Sequence, residues 1–416
     1  MSPIVMAILV VSNLGLIFLL MTVPLGLRTV RFSRLVVADR HRLWQALWPL
    51  GDDAGWSGEI ISAEALDGQG TARIRLSWEG RDGQPIERKV MLEDVAEGSR
   101  FSMRVLDDAS LDASFWADYR ETTELVSEGS GTRIVLSQTD RYRGVAFLVF
   151  RYFAMRRELG KLQKWARTGQ YRKGGWFEHP LSQVGFAILS AFILWPFFGL
   201  NLGGLALASI LTSVVALHEL GHMAAFRLMG HRKARMIFIP LLGGIAIGGR
   251  PYDSRFEVAF VALMGAGFSA FLVPVLIAAS GFARGEGHYL AAAPLATLAG
   301  CSALFNIANL VPVWKFDGGQ VLRQICPGPL ALASASFFLL SALLALGWRA
   351  GFSSGFLLAA GAVFSALSLL TMGSAVKPRL ELKPIRTVDR FAMAGALLAV
   401  FAIHGYGVLW ASALLA

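Results

Sequence analysis

The chain has 416 residues and a formal net charge of +10, with 55% hydrophobic and only 16% charged residues. Soluble domains carry about 25% charged residues, so the composition argues against a wholly soluble chain, and the length allows two or three domains. Cys301 and Cys326 are the only cysteines; far apart and without partners at zinc-ligand spacing, they exclude a disulfide framework and a cysteine zinc site.

Residues 3–27 are apolar and long enough to span a bilayer. No basic residue precedes them and no small-residue cleavage site is evident, so the reading is a retained anchor over residues 1–32. Arg28, Arg31 and Arg34 follow and predict a cytoplasmic end. Residues 33–170 then change character. Alternating runs at 59–63, 72–78, 101–105 and 133–137 are separated by the turn signals Asp67-Gly68, Glu79-Gly80, Asp82-Gly83 and Gly129-Ser130-Gly131. This pattern predicts a meander of half-buried antiparallel strands. A helical stretch at 39–48 stands before it, and a long helix at 144–167 with a basic second half follows. The order of strand, helices, about six strands and C-terminal helix, together with Trp44, Trp56 and Trp165, resembles the START-like helix-grip family of polyketide-cyclase type. The resemblance implies a curved sheet wrapped around one helix, and an apolar ligand in the space between them.

From residue 181 the chain is apolar again. Spans are expected at 181–200, 203–229, 256–280 and 289–313 within a core of 181–325, and at 330–349, 354–373 and 390–413 within a C-terminal portion of 326–416. With the anchor this makes eight. The basic residues gather in the linkers 151–180, 230–255 and 374–390, which puts both termini outside and residues 33–170 in the cytoplasm. The fold class expected is thus a multi-spanning α-helical membrane protein carrying a soluble α+β domain, in the lipid bilayer of a bacterial cytoplasmic membrane. The basic clusters are topology determinants and headgroup contacts; no nucleic-acid partner is expected, since nothing else reads as a binding module.

Inside the second core span stands His218-Glu219-Leu220-Gly221-His222, preceded by thirteen residues without a charge. H-E-x-x-H on a helix stacks two imidazoles on one face, where both can bind one Zn²⁺. Glu219 beside them can take a proton from a water activated by the metal. Ionisable residues are costly within a bilayer and mark function by default. A catalytic zinc site needs a third protein ligand, and Asp317 is the best candidate. It ends an apolar run, is preceded by Pro312 and is followed by Gly318-Gly319, though Asp-Gly also marks a plain turn.

Together, H-E-L-G-H and N-L-V-P-V-W-K-F-D-G, about ninety residues apart, resemble the site-2 protease family of intramembrane zinc metalloproteases. The family pattern N-x-x-P-x-x-x-L-D-G is met at Asn309, Pro312, Asp317 and Gly318, with Phe316 in the place of Leu. The resemblance implies that His218, His222 and Asp317 hold zinc, that Glu219 is the general base, and that Asn309 orients substrate or helps to hold the oxyanion. It also implies that the glycine-rich stretch 241–249, with Gly243 and Gly244, enters the membrane as a hairpin whose edge pairs with an extended substrate. The chain departs from the family at Gly265-Ala266-Gly267-Phe268-Ser269, where relatives often carry Gly-Pro-x-x-Asn. The function expected is an intramembrane zinc endopeptidase acting on a transmembrane protein substrate, with a cytoplasmic domain that regulates access or selects substrate. The alternative is a catalytically silent membrane sensor that binds an apolar ligand through the soluble domain. Glu219 argues against it, because a structural metal site has no need of a base.

Overall fold

The computed structural model describes the chain apart from residues 1–14, 16–17, 21–22, 67, 69, 172–178, 240–242, 314, 372–378 and 416. It divides into two compact units: Met1–Lys173 with Gly373–Glu381, and Gly174–Met372 with Leu382–Ala416.

The first unit opens with strand β1 (Pro24–Val36) and helix α1 (Arg40–Leu47), whose start is fixed by the Asp39 carboxylate accepting from the backbone N–H groups of His41 and Arg42. There follow β2 (Ile60–Ala65), β3 (Thr71–Glu79), β4 (Pro85–Ala96), β5 (Arg100–Asp108), the short α2 (Ala113–Trp116), β6 (Arg120–Glu128) and β7 (Gly131–Arg143). Helix α3 (Val145–Thr168) ends at Gly169, whose φ of 68° is the left-handed conformation that glycine adopts at little cost. The seven strands form one antiparallel sheet in the order β1-β7-β6-β5-β4-β3-β2, so the first strand closes against the last. Met155, Leu159, Leu162 and Trp165 recur at helical spacing along α3 and pack on Val30, Phe101, Leu125, Ile134 and Leu136 of the sheet. This is a helix-grip arrangement, with the element order read from the sequence.

The structure corrects the boundary of the anchor. Residues 24–36 are a strand paired along its length with β7, and the Thr29 and Thr139 hydroxyls meet at 2.8 Å. The reason is a period of two that overall hydrophobicity conceals: Val30 and Val36 are buried and Phe32 is half-buried, while Arg31, Ser33 and Leu35 between them are exposed. Arg28, Arg31 and Arg34 are therefore strand residues of the sheet. Residues 3–14, most of the expected anchor, lie outside the described residues.

The second unit is helical. It comprises α4 (Pro180–Leu194), α5 (Leu202–Leu228), a hairpin of β8 (Arg235–Ile239) and β9 (Gly243–Ile247), then α6 (Arg255–Gly285), α7 (Tyr289–Asn309), α8 (Asp317–Ile325), α9 (Pro329–Arg349), α10 (Ser354–Thr371) and α11 (Thr387–Leu415). Among the described residues six helices are long and apolar enough to cross a membrane: Pro180–Phe198, Leu202–Leu228, Arg255–Gly285, Tyr289–Asn309, Pro329–Arg349 and Thr387–Leu414. Eight were expected. The anchor falls mainly outside the described residues, and the described apolar stretch of α10, Ser354–Ala366, is shorter than a span. The expected span 289–313 also ends sooner. Asn309 closes α7, and Pro312 in the turn that follows cannot continue a helix.

The strand assignment of residues 24–36 gives the first test. In a variant carrying Thr29→Cys and Thr139→Cys with Cys301 and Cys326 replaced by Ser, mild oxidation should form an intramolecular disulfide, seen by mass mapping. A membrane helix through residue 29 would leave both thiols free.

Candidate metal centre

His218 and His222 stand one turn apart on α5. Their Nε2 atoms lie 3.1 Å from each other, and the Asp317 Oδ2 atom lies 3.2 Å from the first and 3.5 Å from the second. Two ligand atoms on a tetrahedral zinc, at bonds of about 2.0–2.1 Å, stand about 3.3 Å apart. The three side chains thus have the separation of atoms that share one ion, and they can hold a metal.

Two further observations test that fit. Asp317 is buried, and its Oδ2 atom has no hydrogen-bond partner. A carboxylate oxygen isolated in this way is costly unless a cation meets it. The outer nitrogens of the imidazoles are also committed. His218 Nδ1 donates to Asn306 Oδ1 at 2.8 Å, and His222 Nδ1 donates to the Val261 carbonyl at 2.8 Å. Asn306 donates in turn to the Ser302 carbonyl at 2.8 Å, which fixes its amide orientation. With Nδ1 carrying the proton, each neutral ring presents the lone pair of Nε2 inward, the tautomer a metal requires.

Small residues make the convergence sterically possible. A Cβ at Gly221 would come within 2.2 Å of the Met264 carbonyl oxygen, and one at Gly265 within 2.5 Å of His222 Nε2. Helices α5 and α6 therefore touch backbone to backbone beside the ligands. Asp317 is the first residue of α8, a helix end that favours a carboxylate. The two glycines after it are equally constrained, since a Cβ at Gly318 or Gly319 would fall about 2 Å from the carbonyl oxygen of Leu310 or Val313. Gly318 and Gly319 therefore serve close packing against the preceding turn.

Glu219 is half-buried beside the ligands, and its Oε2 atom accepts from the Ala246 N–H of β9 at 2.9 Å. Gly244 lies against the same side chain, with room for no Cβ: one there would meet Glu219 Cγ at 2.4 Å. Gly243 starts β9 with a φ of 97°. The glycine-rich stretch is thus a two-stranded hairpin laid along Glu219. Leu241 and Leu242 lie outside the described residues.

The structure therefore brings His218, Glu219, His222, Asp317 and Gly244 together. Asn309 instead donates to the Phe305 carbonyl of its own helix at 3.0 Å. The asparagine that touches a ligand is Asn306, which the motif reading passed over; its place three residues earlier, on the face of α7 turned to α5, was the available signal. His231, in the basic linker 230–255, is fully buried. Its Nε2 atom meets Glu257 Oε1 at 2.6 Å, and Arg250 donates to that same oxygen at 2.9 Å. This network ties the chain on both sides of the hairpin to the start of α6. His404 is likewise buried, its Nε2–H donating to the Ala266 carbonyl at 2.9 Å beside Gly265. That bond joins α11 to α6 at the level of the ligands.

No family model matches the sequence, and no curated protein matches it. Solved structures similar to the chain are START-like and helix-grip proteins, matched over the N-terminal domain. The protein SSP2350 of Staphylococcus saprophyticus is 15% identical over 36% of this chain and 98% of its own, with a TM-score of 0.28. The Aha1 dimer of Colwellia psychrerythraea is 12% identical over 35% and 99%, with a TM-score of 0.28. A START superfamily protein of Mycobacterium smegmatis is 12% identical over 33% and 97%, with a TM-score of 0.26.

The packing account predicts a contrast between two glycines of one helix. Gly265→Ala should lower the amount of divalent metal retained by purified protein at least about tenfold, because a displaced His222 loses a coordinate bond. Gly281→Ala, where nothing lies within 4 Å of the added carbon, should leave it unchanged. Equal metal content in the two variants would refute the steric account.

Proposed function

We propose that the chain is an intramembrane zinc endopeptidase of the site-2 protease type, cutting transmembrane protein substrates. The observation that carries this reading is the buried Asp317 oxygen without a partner, facing two imidazole Nε2 atoms with Glu219 beside them. The His₂Asp set leaves a coordination position open, as catalytic rather than structural zinc sites do. The ion would supply Lewis acidity, polarising the scissile carbonyl and lowering the pKa of an attacking water.

The chain's own residues supply the rest. His218, His222 and Asp317 would hold the ion, with Asn306 and Val261 keeping the rings in the metal-binding tautomer. Glu219 takes the proton from the attacking water and returns it to the leaving amine. Its bond to Ala246 bears on substrate entry. An extended segment adding to the outer edge of β9 at that position takes over the Ala246 N–H, and the same exchange frees the carboxylate for its role as base. Gly243 and Gly244 then leave space for that segment. Asn309, half-buried one turn from Asn306, is the candidate for orienting substrate or steadying the oxyanion. The six apolar helices would place this chemistry inside a bacterial cytoplasmic membrane, and the helix-grip unit in the cytoplasm would regulate access or select substrate.

Purified wild-type protein should hold about one zinc per chain. His218→Ala, His222→Ala and Asp317→Ala should each lose it. Glu219→Gln should keep it and abolish cleavage. In cells, quantitative membrane proteomics should show transmembrane stubs accumulating in the Glu219→Gln strain and absent from wild type. Zinc-loaded wild type and Glu219→Gln with identical membrane proteomes would instead favour a sensor.

A further inference from the structure

The second unit carries an apolar groove that the metal centre does not use. Its cavity of about 400 Å³ lies among the end of α8, the first half of α9 and the first half of α11. Ala335 and Phe338 of α9 and Ala394 and Leu398 of α11 line it. Its floor is core, since Leu322, Leu339 and Leu397 are buried. Phe338, Phe391 and Leu398 stay exposed, so the groove opens outward. The two helices that flank it run in the same direction. Arg390 at the start of α11 is close enough to Cys326, just ahead of α9, for its charge to act there. Further along, a Cβ at Gly405 of α11 would lie 3.6 Å from Leu346 of α9. From Arg390 to Phe401, both on the groove, the helix rises about 16 Å. The cavity is therefore an elongated trough.

One end of the trough is charged. Arg390 lines it and is half-buried. Its Nε atom is shielded from solvent and has no hydrogen-bond partner. Among the described residues no carboxylate pairs with this guanidinium: the neighbouring Asp389 is held by Arg386 in two bonds of 2.7 and 3.0 Å. Helix α9 starts at the same end, at Pro329, with no side chain capping it. A helix start adds partial positive charge. A half-buried cation without a counter-charge is costly until an anion meets it, and the planar fork of a guanidinium suits a phosphate.

We propose that the groove binds one anionic glycerophospholipid, with an acyl chain lying between α9 and α11 and the phosphate on Arg390. The charge complementarity at one end and the apolar trough leading from it select this occupant. A basic pocket between membrane helices on the cytoplasmic side is a setting in which anionic headgroups are bound, and Arg390 follows directly on the basic linker. The lipid would steady α11, the helix whose His404 bonds to α6. The proposal rests on the helical unit lying in a bilayer, and it stands whether or not that unit is a peptidase.

The test is native mass spectrometry of full-length protein in detergent micelles, titrated with dioleoyl phosphatidylglycerol or dioleoyl phosphatidylcholine. The first phosphatidylglycerol should bind at least about fivefold more tightly than the first phosphatidylcholine. Arg390→Gln should abolish that preference with metal content unchanged, while Arg390→Lys should retain most of it. Lys383→Gln, which removes an exposed charge from the same linker, should leave it intact. Ala335→Phe, which fills the trough, should weaken both lipids at least about fivefold. Excess glycerol phosphate, a headgroup without chains, should not displace the lipid. Equal affinity for the two lipids, the same loss of preference in Lys383→Gln as in Arg390→Gln, undiminished binding in Ala335→Phe, or displacement by glycerol phosphate would each overturn the proposal. Displacement by an uncharged single-span peptide of leucine and alanine would assign the groove to a protein helix and overturn it equally. Alkaline carbonate extraction of cell membranes tests the bilayer reading separately. Release of the chain would remove that reading and the proposal with it, whereas retention without lipid preference refutes the proposal alone.

Discussion

Helices α5 and α6 meet backbone to backbone, and the candidate site depends on that contact. It exists because Gly221 and Gly265 have no side chain; a Cβ at either would lie within 2.5 Å of an atom on the opposite helix. With the helices this close, the Val261 carbonyl can accept from His222, and the face of α6 leaves both rings free to point at Asp317. The bond from His404 to Ala266 braces the same turn of α6 from behind. A larger residue at Gly265 would separate the helices, and the later elements would have nothing to complete.

The energetic logic is one of compensation. Two imidazoles and a carboxylate inside an apolar bundle are costly; were the bundle to span a bilayer as proposed, an ionised group at the centre of a span would cost about 2.5–3.5 kcal/mol. Hydrogen bonds from Asn306 and Val261 offset part of that cost, and the position of Asp317 at the start of α8 offsets more. The Asp317 Oδ2 atom stays uncompensated. A divalent cation is the group that would balance it while using the lone pairs that the ring tautomers expose. The hairpin is held by different means, through His231, Glu257 and Arg250 on one side and through Glu219 on the other. Glu219 is thus held by the hairpin that, in the proposed function, would receive substrate.

Much of this was legible in the sequence, for identifiable reasons. H-E-x-x-H fixes its own geometry through helical periodicity, while Asp317 was named as the third candidate ligand through the family resemblance, since Asp-Gly-Gly alone marks a plain turn as well. The sheet order could be read because turn signals punctuate it. What stayed hidden depends on partners distant in sequence. Asn306 is an ordinary asparagine until α7 is packed on α5, and His231 looks like a surface residue until Glu257 is brought to it. The boundary at residues 24–36 was missed because Arg28, Arg31 and Arg34 fit a membrane flank as well as a strand, and only pairing with β7 decides between them. The bonds from Tyr119 and Gln138 to Glu121 were equally invisible, since these residues meet only when β6 pairs with β7.

The central claim is that His218, His222 and Asp317 hold a zinc ion in this helical unit. Zinc-edge X-ray absorption on purified full-length protein measures it most directly. The account predicts a first shell of two imidazole nitrogens with oxygen ligands, about four atoms in all at about 2.0–2.1 Å, and loss of one imidazole in His222→Ala. A shell containing sulfur, a six-oxygen shell of loosely held ion, or a spectrum unchanged by His222→Ala would contradict it.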